Sequence, residues 1–300
     1  MLYGNSCNSL MFLLSGVALS CLTVCGNTIT AAVASALSVG YCLLFNSTAD
    51  IAVMFLICGV LPGILLGISY RKALPLSYLT AIPACLFAAG WGYLFYSYKS
   101  AFGINMFESA VGEFSRGFDK SLMLVAQQYG DKIDNEVLTL LSDTMKQAYD
   151  FILNMVPCMI IIYSCIMALA LVWFSKKTAH AAGCAPVASF SEIYAPSSVS
   201  LLCFICLLGT FLAKNSMYFF MNILAVLMGY YMLCGISLSD FFLKRYVEKP
   251  GVRLLLYFIL FFVGGLLLPH ILFTLFAVAG MADTLFDFRK LRTATDFPEE

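Results

Sequence analysis

Asp283 and Asp287 stand four residues apart in the run Gly280-Met-Ala-Asp283-Thr-Leu-Phe-Asp287-Phe-Arg289-Lys290 of a 300-residue chain. On a helix this spacing puts both carboxylates on one face, to which Lys290 returns at i+7 and i+3. Two readings stand. One is a helix end held at a cytosolic interface by cations. The other is an acid–base cluster that pins the last helix to a second loop, such as the Arg71-Lys72 turn. Neither implies catalysis.

Other groups with chemical potential are few. Asn154 and Asn222 lie inside apolar stretches, where an amide bridges helices or binds a ligand. Asp50 marks a helix junction, Asp240 follows Ser237 and Ser239, and His270 follows Pro269 beside a helix break. Cys203-x-x-Cys206 has a redox or metal spacing, but no histidine or second pair accompanies it, so these thiols read as packing. HExxH, GxSxG, Walker and GxGxxG patterns are all missing. The sequence therefore nominates no catalytic, cofactor-binding or metal-binding residue, and the expectation is a protein that is not an enzyme. An ATP-driven process would need a separate ATPase subunit.

The elements that must carry these residues are plain. Residues 1–49 contain no Asp, Glu, Lys or Arg, and charge-free windows follow at 51–70, 73–98, 151–175, 193–213, 215–239 and 254–282. Each approaches the roughly 20 apolar residues a helix needs to cross a bilayer. Charged residues make up 11% of the chain, far below the roughly one quarter of a soluble domain. The expected class is all-α, a polytopic bundle with the lipid bilayer as its partner. No Lys/Arg cluster interleaved with aromatics points to nucleic acid. Residues 10–26 lack a cationic leader and read as a retained helix.

Cationic connections mark the cytoplasmic side. Placing Arg71-Lys72, Lys176-Lys177, Lys244 to Arg253 and the tail after Arg289 inside puts the N-terminus outside and the C-terminus in the cytoplasm of a bacterial cell. The run 254–287 crosses once as a tilted helix, for eight spans, or twice around Gly264-Gly265 and Pro269, for nine; the hairpin is favoured. Segment 99–150 holds 13 of the 34 charged residues. There Leu122, Val125, Ala126 and Tyr129 repeat at helical spacing, as do Val137, Leu138, Leu141, Met145 and Ala148. Gly130-Asp131 separates two amphipathic helices and Asp134 caps the second. The pair is a solvated connector, or a lid or partner-docking element over an outward cavity.

Gly59, Gly63 and Gly67 share one helix face around Pro62, and Ala32, Ala36 and Gly40 give the preceding span a similar face. Small faces let backbones approach closely, so the two spans are expected to pack together, or the alanine face to dock another membrane subunit.

Four stretches resemble the YybS-like family of predicted bacterial membrane proteins, domain of unknown function 2232, over about Asn27 to Arg292. They are Thr28 to Ala36, Leu61-Pro62 to Tyr70-Arg71-Lys72, Phe190-Ser-Glu192 leading to Pro196, and Gly280 to Arg289. That family implies no established activity. It is distantly similar to substrate-binding membrane subunits of energy-coupling-factor vitamin transporters, which dock their partner through an AxxxA face. Ala32 and Ala36 hold the matching positions. The resemblance makes residues 1–26 an extra helix, followed by a first group at 27–98, an outer segment at 99–150, a second group at 151–288 and a tail at 289–300. Arg71, Lys72, Asp283, Asp287 and Arg289 would anchor the cytoplasmic side. The expected function is binding or transport of a small, unidentified solute with partner subunits. The alternative is a non-transporting envelope scaffold or regulator.

Overall fold

The structure is a computed structural model that describes residues 3–26, 28–45, 49–129, 135–184, 189–213, 216–267 and 269–289. The Gly130-Asp131 turn, the Asp134 cap and Lys290 lie outside the described residues. In chain order the helices are α1 (Tyr3–Cys25), α2 (Thr28–Phe45), α3 (Ala49–Phe55), α4 (Leu61–Arg71), α5 (Leu76–Phe102) and α6 (Met106–Tyr129). They continue as α7 (Asn135–Ala181), α8 (Ser197–Leu212), α9 (Met217–Tyr246), α10 (Pro250–Leu267) and α11 (Pro269–Phe286). A π-helical turn (Leu56–Val60) joins α3 to α4, and a 3-10 turn (Phe190–Glu192) precedes α8. No strand occurs among the described residues.

Four helical stretches are long and apolar enough to cross a membrane: Asp50–Arg71, Leu76–Phe102, Thr139–Ala181 and Met217–Tyr246. Shorter apolar helices lie at Leu10–Cys25, Thr28–Tyr41, Ser197–Leu212, Gly251–Leu260 and His270–Phe286. Their outer faces carry large apolar side chains that a water-soluble protein would bury; Leu44 and Leu212 are 83% and 80% exposed. Hydrocarbon can cover such surfaces. This is a multi-pass membrane protein. The described parts of the run 254–287 are helical on both sides of residue 268, as α10 and α11.

Packing divides the chain into two compact units, Met1–Val187 and Ala188–Glu300. This differs from the blocks expected at 99–150 and 151–288. The second amphipathic stretch and the span after it are one 47-residue helix, α7, with no break at 150/151. Nothing in 148–156 terminates a helix, so the amphipathic stretch continues the span as a rigid extension.

In the first unit the glycine face is filled by α1, and this corrects the expectation that α2 packs there. A Cβ built on Gly63 would stand 2.5 Å from the Gly16 carbonyl oxygen, and one on Gly67 2.5 Å from Thr23 Cβ. The reason is matching spacing: Gly16, Ser20 and Thr23 give α1 its own small-residue groove. Ser20 and Thr23 are fully buried and Leu13, Leu19 and Val24 are buried beside them, so this stretch of α1 belongs to the core. On α2, Ala31 and Ser35 face inward while Ala32 and Ala36 are exposed. The Tyr70 hydroxyl donates to the Val172 carbonyl at 2.9 Å, which brings the end of α4 beside the end of α7.

In the second unit α9 and α11 meet along Gly235 and Gly280. A Cβ on Gly235 would run into the Phe276 carbonyl, and one on Gly280 into the Tyr231 carbonyl. Between helices in lipid, close backbone approach of this kind gains dispersion contacts that burial cannot supply.

Candidate binding cleft and a buried ion pair

A cleft of about 610 Å³ opens where α5, α6 and α7 come together. Local sequence explains its shape. Gly103 ends α5 in the left-handed region (φ 71°), its amide donating to the Lys99 carbonyl at 2.8 Å. Two residues later Asn105 caps α6, its side-chain oxygen accepting the Phe107 amide at 3.1 Å. This tight reversal swings the start of α6 over the end of α5, and the Phe95 and Phe107 rings, 5.0 Å apart, hold it there. The opposite wall is α7 from Asp150 to Ile160.

Lys99, Glu108 and Asp150 place one positive and two negative charges on the lining, beside the amides of Asn105 and Asn154. Phe95, Tyr96 and Phe107 supply apolar surface. Asn154 donates to the Asp150 carbonyl at 2.7 Å, so its amide is oriented along the wall. Pro157 has no amide hydrogen for the Leu153 carbonyl, leaving the helix one donor short on this wall. Ligand sites combine such volume, apolar area and a few placed polar groups.

The second unit holds a different kind of cluster. Arg289 and Asp283 side chains are 0% and 3% exposed and pair at 2.5 Å. All five guanidinium N–H groups are used. Nε and Nη2 donate to Asp283 Oδ2, Nη1 to the Ser191 carbonyl at 2.6 Å and Ser237 Oγ at 2.8 Å, and Nη2 also to the Ile193 carbonyl at 2.8 Å. Asp283 Oδ1 is buried with no hydrogen-bond partner among the described residues. Next to this, Lys244 donates to Ser189 Oγ and Ser191 Oγ at 2.8 and 3.0 Å and pairs with Asp240 at 2.7 Å. Tyr257 donates to the other Asp240 oxygen at 2.8 Å. The arrangement ties the 189–193 turn, α9 and the end of α11 together. Every guanidinium donor is spent on structure, which makes this cluster a fastening.

A family model described as a predicted membrane protein (DUF2232) matches residues 8–284. The chain belongs to this family. The DUF2232 match takes in most of α1, which the resemblance from Asn27 had set apart, and it closes just after Asp283. No curated protein and no solved structure matches the chain.

Within this DUF2232 chain the nominated residues go to different places. Asn154 lines the cleft. Asn222, in α9 of the second unit, donates to its own helix at Tyr218 and does not line that cleft. Arg71 caps α1, donating to the carbonyls of Val24 and Gly26, and Lys72 caps α4 with an exposed side chain. Asp283 instead takes Arg289 from its own motif as partner, which corrects the expected pairing with the Arg71-Lys72 turn. It also corrects the shared face of Asp283 and Asp287. α11 ends at Phe286, and Asp287 turns into the left-handed region (φ 46°), folding the chain back so that Arg289 reaches Asp283. Lys99, Asn105, Glu108 and Asp150 were not nominated. Their signal was present, since three of them are among the first charged or capping residues beyond the charge-free windows 73–98 and 151–175.

Proposed function

We propose that this membrane protein binds a small solute in the cleft between α5, α6 and α7, as the membrane-embedded component of a transport-type system and not as an enzyme. The cleft carries the reading: a wall of mixed charge, amides and aromatic rings offers one solute both polar and apolar contacts. Its support lies in that geometry and not in the likeness to energy-coupling-factor subunits. Arg71 and Lys72 lie beside the α7 end that bears Lys176 and Lys177, while Glu108 and Asp150 lie at the other end of these helices. The positive-inside bias then turns the cleft outward from a bacterial plasma membrane and the cationic ends toward the cytoplasm.

Native purification in mild detergent followed by mass spectrometry tests this. A small molecule should co-purify with the wild type and be lost from the triple variant Lys99→Ala, Glu108→Gln, Asp150→Asn at unchanged thermal stability. These three side chains are exposed, so the fold should tolerate the changes. Equal recovery of all small molecules from both proteins would overturn the reading.

A second reading, a scaffold or regulator of partners in the bilayer, draws on α2. Ala32 and Ala36 face outward beside Val33 and Leu37, which are 54% and 70% exposed. Ala32→Leu with Ala36→Leu should leave the stability of the isolated chain unchanged and reduce recovery of any co-purifying membrane subunit. Unchanged recovery would exclude that face as a docking surface.

A further inference from the structure

A second, smaller space lies one helical turn deeper than the cleft. Its volume is about 120 Å³, and its walls come from α1, α3, α5, α7 and the π-helical turn. The lining contains one charged side chain, Asp50. The remainder is aromatic or sulfur-bearing for the most part: Phe12, Phe87, Trp91 and Tyr163, with Met54 and Met167. Trp91 and Tyr163 meet edge to face with centroids 5.7 Å apart and planes at 84°, so two ring systems close one corner.

We propose that this pocket binds a small organic cation of the alkylammonium class, held by Asp50 and by the ring faces of Trp91 and Tyr163. The inference deepens the solute-binding reading and rests on it. Several independent features point the same way. Asp50 is exposed at the start of α3, where the Tyr93 hydroxyl donates to it at 2.7 Å and the Ser97 side chain also hydrogen-bonds it, and no Lys or Arg lies among the pocket residues. These hydroxyls satisfy lone pairs without neutralising the charge. A cation does both.

The rest of the lining decides which cation. Hard metal ions require several oxygen ligands, and the lining offers a single carboxylate. Ring faces and thioethers instead suit a weakly hydrated ammonium, whose attraction to an aromatic quadrupole strengthens when water is excluded. An apolar cavity of about 150 Å³ holds benzene, so about 120 Å³ takes an ammonium headgroup of similar or smaller bulk. The π-helical turn places Cys58 on the lining together with Met54 of α3; such turns recur where a helix is re-registered around a site.

The cleft lies next to this pocket along α5 and α7. Phe95 lines the cleft, Trp91 lines the inner pocket, and their rings are 5.9 Å apart. Ile160 and Tyr163 mark the same step on α7. The net negative lining of the cleft, from Glu108 and Asp150 against Lys99, concentrates cations ahead of this aromatic line.

The chain has two tryptophans, so Trp173→Phe leaves Trp91 as the sole indole reporter. In that background, purified in detergent, tetramethylammonium and choline should each cause a saturable change in Trp91 emission that matched sodium chloride does not. Dimethylbutanol, the neutral carbon isostere of choline, should bind at least about tenfold more weakly. Asp50→Asn should weaken the cations by about tenfold and leave dimethylbutanol unaffected. Asp50→Asn keeps an acceptor for the Tyr93 hydroxyl and removes the charge, whereas Tyr93→Phe removes that hydrogen bond and keeps the charge, and should retain cation binding; an equal loss there would assign the effect to local structure and overturn the proposal. Equal affinity for choline and dimethylbutanol would overturn the cation class while leaving a solute pocket in place. No saturable change with any probe would overturn the inner site, and the cleft would still be judged by its own co-purification test.

Discussion

Replacing Arg289 by Met should destabilise the protein by about 3–5 kcal/mol, the usual cost of stranding one partner of a buried ion pair. Asp283 would be left charged or protonated in a site where its Oδ1 already lacks a partner among the described residues, the Ser191 carbonyl would lose its guanidinium donor, and the Ile193 carbonyl would keep only Ser237 Oγ. Asp283→Leu should cost a comparable amount, because the guanidinium keeps its neutral acceptors but loses its counter-charge. The double variant Asp283→Leu, Arg289→Met should fall well short of the sum of the two, by about 2 kcal/mol or more, since no unpaired charge remains buried. It should still be weaker than wild type, because the Ser191 carbonyl loses its guanidinium donor. Thermal unfolding in detergent of all four proteins closes the cycle. Additive losses would show that the pair is not coupled in the way its 2.5 Å contact implies.

The second large effect is steric. Gly280→Ala drives a methyl group into the Tyr231 carbonyl, and Gly235→Ala drives one into that of Phe276. Neither obstacle is a side-chain end that can rotate away, so α9 and α11 must move apart. Overpacking of this kind typically costs about 1–3 kcal/mol, and backbone obstacles belong at the upper end. Gly92 and Gly117 sit on helices with open space around the added carbon, so alanine there should be neutral or slightly stabilising. Equal unfolding temperatures for Gly280→Ala and Gly117→Ala would contradict the close crossing. The two predictions share one region, because Gly280 lies three residues before Asp283. The same short motif therefore supplies both the crossing point and the ion pair that fastens it.

How much of this was legible beforehand varies by element. Spans were readable because a bilayer imposes a single composition rule over some 20 residues, and that rule involves no partner in the chain. The small faces of α2 and α4 were readable for local reasons as well. Which small face met which was not. Gly63 is equally suited to Ala36 and to Gly16, and only the assembled bundle chooses Gly16. The closing motif shows the same limit. Helical spacing put Asp283 beside Asp287, but a left-handed residue at 287 redirects Arg289, and an aspartate in that conformation announces itself weakly. For the cleft, Asn154 was found by its rarity in an apolar run, whereas Lys99, Glu108 and Asp150 looked like ordinary solvated charges.

From its letters alone, then, this protein is a polytopic helical membrane protein, because desolvation of charge and of backbone polar groups acts on each segment separately. Three-dimensional packing decided the rest: α1 fills the glycine groove, Asp283 pairs with Arg289, and three helices converge on a cleft with an acidic, aromatic pocket behind it. Those outcomes depend on side chains far apart along the chain meeting at contact distance. Charge and periodicity, read one segment at a time, carry no information about such meetings.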